Sequence, residues 1–351
     1  MMIMEASAET KSLKGICVAG NIVADVVKNI DAYPGVGMLA NIKSVSLAVG
    51  GAVPNVGIDL KTLDPDLPVA GLGLVGDDEY GRFILSRLAK SGMDISGIRV
   101  SPTALTSFSD VMSLPGGERT FFHARGANAE FGPGHIELDR LGCRILHIGY
   151  ILLLDRFDAP DPEYGTVMAR FLKDVQARGI LTSVDLVSDT SGKFARTVLP
   201  ALKYCDYSIA NEFECCRVWG IEPRLPSGEL DTAAVRSAME RTLDAGAMKK
   251  VIVHAPEAGM CLSRESGFTL CPSLDIPEDM IKGSVGAGDA FCAGALTGIY
   301  RGMDDMDMLE FASAAAGCSL MSVSAVGGMM DFEAVYRFMR AFPRKKLPGM
   351  V

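Results

Sequence analysis

The order of apolar segments predicts a doubly wound α/β fold: a mostly parallel central sheet covered by helices, with a small β-sheet lid. Three features of the 351-residue sequence carry that expectation. Short apolar runs are continuous rather than alternating, as in parallel strands buried on both faces. Longer segments with helical spacing separate them, which is the order of a layered α/β structure. Two further segments, rich in Val, Ile, Phe, Ser and Thr, break the alternation and read as strands of a separate small sheet.

The first strand is expected at residues 15–20 (GICVAG), followed by the first excursion, residues 26–46. A helix at Val53–Leu63, a strand at 68–76 and a helix at Glu79–Lys90 return to the layered body. The second excursion, residues 105–123, holds the turn Pro115-Gly116-Gly117 between two strand-like runs, the pattern of a β-hairpin. Strands at 143–150, 179–186, 206–210 and 250–255 follow, with helices at Tyr164–Ala177, Lys193–Leu202 and Thr232–Ala245. The chain then becomes helical at Ala287–Tyr300, Met306–Ser322 and Phe332–Phe342. No repeat, linker or low-complexity stretch divides it. Residues 1–351 are therefore expected to form one domain, with the lid (about 26–46 and 105–123) inserted in the α/β body.

Composition narrows the function classes. The net charge of −9 leaves no basic stripe for a phosphate backbone, so nucleic acid is not an expected partner. Backbone N–H groups still allow an anionic nucleotide to bind locally. Nine cysteines, none in C-x-x-C spacing, read as free thiols of a reducing compartment. The four histidines lie too far apart in sequence for a zinc site built on local spacing. The first residues include Glu5 and Glu9 and lack the apolar core of a signal peptide. The longest apolar stretch, Ile145–Leu154, is shorter than the about 20 residues a membrane span needs. A cytoplasmic protein without a membrane partner is expected.

The segment Lys282-Gly-Ser-Val-Gly-Ala-Gly-Asp-Ala-Phe291 carries the chemistry. Gly286, Ala287 and Gly288 are small enough for a ligand to approach the backbone, and Asp289 falls where a helix begins. First-turn amides have no partner inside the helix and suit an anion. A carboxylate beside them is placed to take a proton from a hydroxyl attacking a phosphoryl group. The alternative is a capping aspartate on a tight glycine turn.

GAGDAF followed by a small-residue helix resembles the signature of ribokinase-like (phosphofructokinase-B-type) carbohydrate kinases. Gly50-Gly51-Ala-Val-Pro-Asn55 resembles that family's di-glycine motif, and Gly73-Leu-Val-Gly76-Asp77-Asp-Glu-Tyr-Gly81 its G-x-x-G-x-D-x-x-G segment. Ser91–Gly97 resembles the connector into the lid, Asn211-Glu-Phe-Glu214 the N-x-x-E motif, and Gly126-Ala127-Asn128 the G-A-N where the chain leaves the lid.

The resemblance implies ATP-dependent phosphorylation of a sugar or sugar-like hydroxyl. Asp289 would be the general base, and Gly286, Ala287 and Gly288 the anion hole for the transferred phosphoryl. Asp25, Gly50, Gly51, Asn55 and Asn128 would hold the acceptor. Arg125 would recognise a carboxylate bidentately if the acceptor is a sugar acid, with an ordinary surface arginine as the alternative. Asn211 and Glu214 would organise Mg2+ through water, or else merely cap a helix. Gly259 would border the nucleotide.

Departures qualify the resemblance. Gly283-Ser284 stand where the family usually has Asp-Thr, whose carboxylate commonly helps hold potassium, so dependence on a monovalent cation is not carried over. In the nucleotide strand only Gly259 survives of Thr-x-Gly-x-x-Gly, and Asp185-Leu-Val-Ser-Asp189 occupies the place of Asp-x-Asn-x-Arg. A nucleoside kinase of the same family, or a sugar-binding sensor with weak catalysis, are the other readings. The P-loop and G-x-S-x-G motifs are missing, and no G-x-G-x-x-G directly follows the first strand, which ends Gly20-Asn21-Ile22; this disfavours P-loop kinases, serine hydrolases and dehydrogenases. Exposed strands in the lid suggest pairing of two copies, hence a homodimer.

Overall fold

Strands that are apolar throughout need cover on both faces, and the chain supplies it. A computed structural model describes residues 13–115, 118–187, 194–246 and 248–347. β1 (Ile16–Gly20) opens the central sheet, and β2 (Val23–Ile30) and β3 (Ile42–Gly50) leave it. α1 (Ala52–Leu63), β4 (Val69–Gly76), α2 (Glu79–Lys90) and β5 (Asp94–Ser101) return to it. β6 (Phe108–Ser113) and β7 (Arg119–Ala124) leave again, ahead of the short α3 (Gly126–Glu130). β8 (Ile145–Ile151), the two-residue strands β9 (Pro160–Asp161) and β10 (Gly165–Thr166), α4 (Val167–Gln176) and β11 (Leu181–Leu186) come next. They are followed by α5 (Phe194–Leu202), β12 (Tyr207–Asn211), α6 (Glu212–Arg217), α7 (Thr232–Asp244) and β13 (Lys250–His254). β14 (Ala258–Ser263), β15 (Gly267–Pro272), α8 (Ala287–Arg301), α9 (Asp305–Ser319) and α10 (Phe332–Ala341) complete the order.

The central sheet has nine strands in the order β15-β14-β13-β12-β11-β8-β1-β4-β5. Its pairings are parallel from β5 to β13. Only the β13–β14 and β14–β15 pairings are antiparallel. Alternate residues of β1 enter opposite cores. Ile16 and Val18 pack with Val53, Leu60, Ile84, Leu296 and Phe311. Cys17 and Ala19 pack with Phe171, Leu172, Val198 and Met239. α8 is held close to α9 through its small residues: a Cβ on Gly294 would lie 2.7 Å from Ala312 Cα, and one on Gly298 2.7 Å from Met308 Cγ. All nine cysteines are buried and free. No described helix is long and apolar enough to cross a membrane.

The two excursions form a separate four-stranded sheet in the order β3-β2-β6-β7. β2 and β6 are parallel, and the flanking pairs antiparallel. These strands reach beyond the expected limits, starting at Val23 and ending at Gly50, which brings the small sheet to the carboxyl end of β1. The Gly116-Gly117 half of the hairpin turn, the first 12 residues and the expected helix start at Lys193 lie outside the described residues. The segment from Ser91 to Gly97 is a turn leading into edge strand β5 before the chain reaches the small sheet.

Where β1 passes into β2, the side chain of Asn128 closes on the backbone of Ile22. Its Oδ1 accepts from the Ile22 N–H at 3.1 Å and its Nδ2 donates to the Ile22 carbonyl at 3.1 Å. The Asn128 N–H in turn donates to Ser107 Oγ at 3.0 Å. Replacing Asn128 by Ala leaves two buried backbone groups unpaired, and a loss of about 2–4 kcal/mol is expected. Urea unfolding monitored by circular dichroism checks it; a change under about 0.5 kcal/mol, the scale of an ordinary surface substitution, refutes the clamp.

Candidate active site

The carboxyl ends of parallel strands leave a crevice, the usual place for a ligand in an open α/β sheet. Here α8 points its N-terminus into that crevice. Gly286 precedes it with φ 84°, a conformation that costs a side chain strain. A Cβ there would also sit 2.4 Å from the Ala325 carbonyl oxygen. The Ala287 N–H donates to Ser284 O at 3.2 Å and the Ala290 N–H to Gly286 O at 2.8 Å. The amides of Gly288 and Asp289 between them are first-turn donors beside the strand ends.

Asp289 lies in that first turn, half-buried. Tyr150 Oη donates to its Oδ1 at 2.7 Å, and Asn55 Nδ2 to its Oδ2 at 2.9 Å. Burial raises its carboxyl from the ordinary 3.8 to about 6, against the pull of those two hydrogen bonds. The arrangement gives a carboxylate that is ionised at neutral pH yet close to its titration point, the range in which general bases work best.

Asp25, on β2, faces the same crevice. Burial raises it to about 6; Ser109 and the Arg119 guanidinium lower it, and the Asp289 charge raises it. Gly50 gives its carboxylate room, since a Cβ there would lie 2.3 Å from Asp25 Oδ2. Gly51 caps α1 with φ 89°, where a Cβ would meet the Asn21 carbonyl oxygen at 2.5 Å. α1 thereby starts tight against the end of β1 and carries Asn55 to Asp289.

Other sequence candidates fall elsewhere. Asn128 is fully buried and occupied by Ile22, so it shapes the crossing from sheet to lid and does not reach the crevice. Arg125 is engaged by Asp155, Nη1 to Oδ1 at 2.6 Å, and both its terminal nitrogens lie 3.5 Å from the Leu152 carbonyl. Gly259 pairs with His254 across β13 and β14 and lies against the Phe291 ring, 3.1 Å from where a Cβ would stand. It makes room for Phe291, and Phe291 itself lines the neighbouring cavity.

That cavity, about 490 Å³, runs from the first turn of α8 between the end of β13 and α9. Ala287, Gly288, His254, Ile276 and Leu320 are among its walls. His254 is lowered by burial to about 4 and is neutral at physiological pH. At its mouth Asn211 caps α6, its side chain accepting from the Glu214 N–H at 2.8 Å while Glu214 Oε2 accepts from the Asn211 N–H at 3.0 Å. Asp185, at the end of β11, is raised well above the carboxylate range by burial and by the charges of Glu214 and Asp289. The carboxylates of Asp185 and Glu214 lie close enough to interact, and oxygen donors of this kind suit a divalent cation such as Mg2+.

Three residues of the site had no readable signal: Tyr150, Arg119 and Ile276. A tyrosine in an apolar run reads as core, and an arginine in a hairpin as surface. Arg119 instead reaches from the small sheet to the Val323 carbonyl, 3.3 Å away, in the loop that follows α9.

The sequence pattern described as "pfkB family carbohydrate kinase" matches residues 13–330. A ribokinase of Arabidopsis thaliana is 24% identical over 328 residues, covering 93% of this chain and 81% of that protein. An ATP-dependent ribose-1-phosphate kinase of Halopiger xanaduensis is 27% identical over 84% of this chain and 88% of its own length. A structure of Arabidopsis thaliana ribokinase complexed with ribose and ATP superposes with a TM-score of 0.77 at 20% identity, covering 93% of this chain and 99% of that one. This likeness shows a ribokinase fold.

The crevice predicts a pH-dependent stability. Because the folded form of Asp25 titrates near 6 rather than 3.8, its contribution is fully present below about pH 3.8 and is lost as pH rises through about 6. Asp25→Asn is expected to melt above the parent protein at pH 8, with the gap closing towards pH 4. Melting curves at the two pH values test it; an equal gap at both refutes the assignment.

Proposed function

The chain belongs to the pfkB family of carbohydrate kinases, and from that premise we propose that it moves the γ-phosphoryl group of ATP to a hydroxyl of a sugar or sugar-like acceptor. The observation that carries the mechanism is the Asp289 carboxylate standing beside the first-turn amides of α8, between the Asp25 floor and an apolar cavity.

In this reading the acceptor lies on Asp25, Gly50, Gly51 and Asn55, its hydroxyls donating to the Asp25 carboxylate. Asp289 takes the proton of the attacking hydroxyl as the new O–P bond forms and ADP leaves. The amides over Gly286, Ala287 and Gly288 stabilise charge on the transferred group, helped by the positive end of α8. The apolar cavity beside Phe291, Ile276 and Leu320 takes the adenine. Asn211, Glu214 and Asp185 would hold Mg2+, partly through water. When bound, that ion neutralises charge between the transferred and departing phosphates.

The whole chain acts as one catalytic unit, with the small sheet as its lid. Arg119, bonded to Val323 across the crevice, ties the lid to the body and keeps water away from the phosphoryl group. The lid leaves Ile42, Val45, Leu47, Phe121 and Phe122 exposed. Apolar side chains exposed on both edge strands of the small sheet support pairing with a second copy through the lid.

Two outcomes follow. With ATP and Mg2+, release of ADP should require a member of a panel of pentoses, hexoses, sugar acids and nucleosides. Asp289→Asn should then lower kcat by about 10²–10⁴ while acceptor affinity changes little. Saturable sugar binding without turnover in the parent protein would instead mark a sensor, and near-normal kcat in the variant would remove the base. Sedimentation at micromolar concentration should give a dimer that Phe121→Asp with Val45→Asp dissociates; a monomeric parent protein rules the pairing out.

A further inference from the structure

The two hydrogen bonds on Asp289 come from different parts of the fold. Asn55 belongs to the di-glycine motif and reaches from α1. Tyr150 belongs to no motif; it stands in β8, and its hydroxyl lies 2.7 Å from Asp289 Oδ1. We propose that Tyr150 is the positioning residue of the catalytic base: its hydroxyl holds one carboxylate oxygen while Asn55 holds the other, fixing the plane in which Asp289 receives the substrate proton.

The direction of the hydrogen bond follows from the chemistry of its partners. Burial and the Asp289 and Asp185 charges push the Tyr150 phenol well above its ordinary range, so it keeps its proton and donates. An ionised carboxylate only accepts. Two donors on two oxygens leave one lone pair on each for an incoming hydroxyl, whereas a carboxylate free to rotate presents no fixed acceptor.

The groups facing Asp289 make such a donor necessary. From β2 comes Asp25, from α1 Asp59, from β11 Asp185, and from its own helix Cys292, all of which sense the Asp289 charge. Asp59 is fully buried, its two carboxyl oxygens have no hydrogen-bond partner, and burial raises it far above the carboxylate range. None of these carries a positive charge. The neutral donors Tyr150 and Asn55 are what favour an ionised Asp289, and each opposes the upward effect of burial.

The inference rests on Asp289 being the base, and the experiment separates the two. The full-length protein, Tyr150→Phe and Asp289→Asn are compared from pH 5 to 9, using as acceptor whichever panel sugar gives the fastest ADP release. The parent protein should lose kcat/KM below about pH 6. Tyr150→Phe, which keeps the ring, should move that limb up by about one pH unit, the size of one lost hydrogen bond to a charged group. It should therefore be about fivefold slower at pH 6 and close to the parent at pH 9, with an unchanged KM for the acceptor.

A tyrosine that merely packs would slow the enzyme equally at every pH; an unmoved limb, or a rise in acceptor KM alone, overturns the proposal. If Asp289→Asn keeps its kcat, the base reading itself is lost. If that variant is inactive while the Tyr150→Phe limb stays put, only the role of Tyr150 is lost. Carbon-13 carboxyl spectra supply a readout without turnover. The aspartate resonance missing in Asp289→Asn should titrate about one unit higher in Tyr150→Phe than in the parent, and equal titration refutes the proposal.

Discussion

A carboxylate kept charged where burial opposes the charge is the constraint on which this site depends. Asp289 sits at the mouth of α8 with Asp25, Asp59 and Asp185 close enough to interact electrostatically with it. Such a cluster costs stability, and oriented dipoles, rather than counter-ions, surround Asp289 at its centre. The first-turn amides of α8, the Tyr150 hydroxyl and the Asn55 amide act in this way, and all belong to elements fixed by the central sheet.

Precision at that point comes from backbone contacts made possible by small residues. Gly294 and Gly298 let α8 lie against α9, so the helix that presents Asp289 has little freedom to shift. At the other side, Gly51 starts α1 directly on the Asn21 carbonyl, and Asn128 pins Ile22 where the chain turns from sheet to lid. Three separate elements (α1, β8 and α8) thus meet at one carboxylate, and a displacement of any one would break the hydrogen bonds that orient it.

The parts legible in the sequence were those with strong local patterns. β1, β4, β8, β11, β12 and β13 are continuous apolar runs, and the helices between them carry caps and spacing; each appears within a few residues of its expected place. β5 escaped notice because an edge strand needs no continuous apolar run: Asp94, Ser96, Gly97 and Arg99 interrupt it. β14 and β15 were obscured because glycine and proline read as loop: Gly259 stands inside β14, and β15 runs from Gly267 to Pro272. Within the site, motif residues such as Asp289 and Asn55 were visible, but their mutual contact spans 234 positions of sequence and is a product of topology. The same holds for Tyr150, and in reverse for Asn128, whose motif suggested substrate contact while its amide closes on the backbone.

The lid has an energetic role that follows from the charges it carries. Asp25 belongs to the small sheet and Asp289 to the central body, and each gains negative charge in the same pH range near 6. Closing the lid on an empty crevice brings two like charges together in a medium of reduced polarity, which is unfavourable. A polyol between them reverses the balance, since its hydroxyls donate to both carboxylates and replace the water that closure removes. The Arg119 side chain links the same two parts, donating to the Val323 carbonyl at 3.3 Å. Two half-buried carboxylates in one crevice thus favour a ligand that donates hydrogen bonds to both.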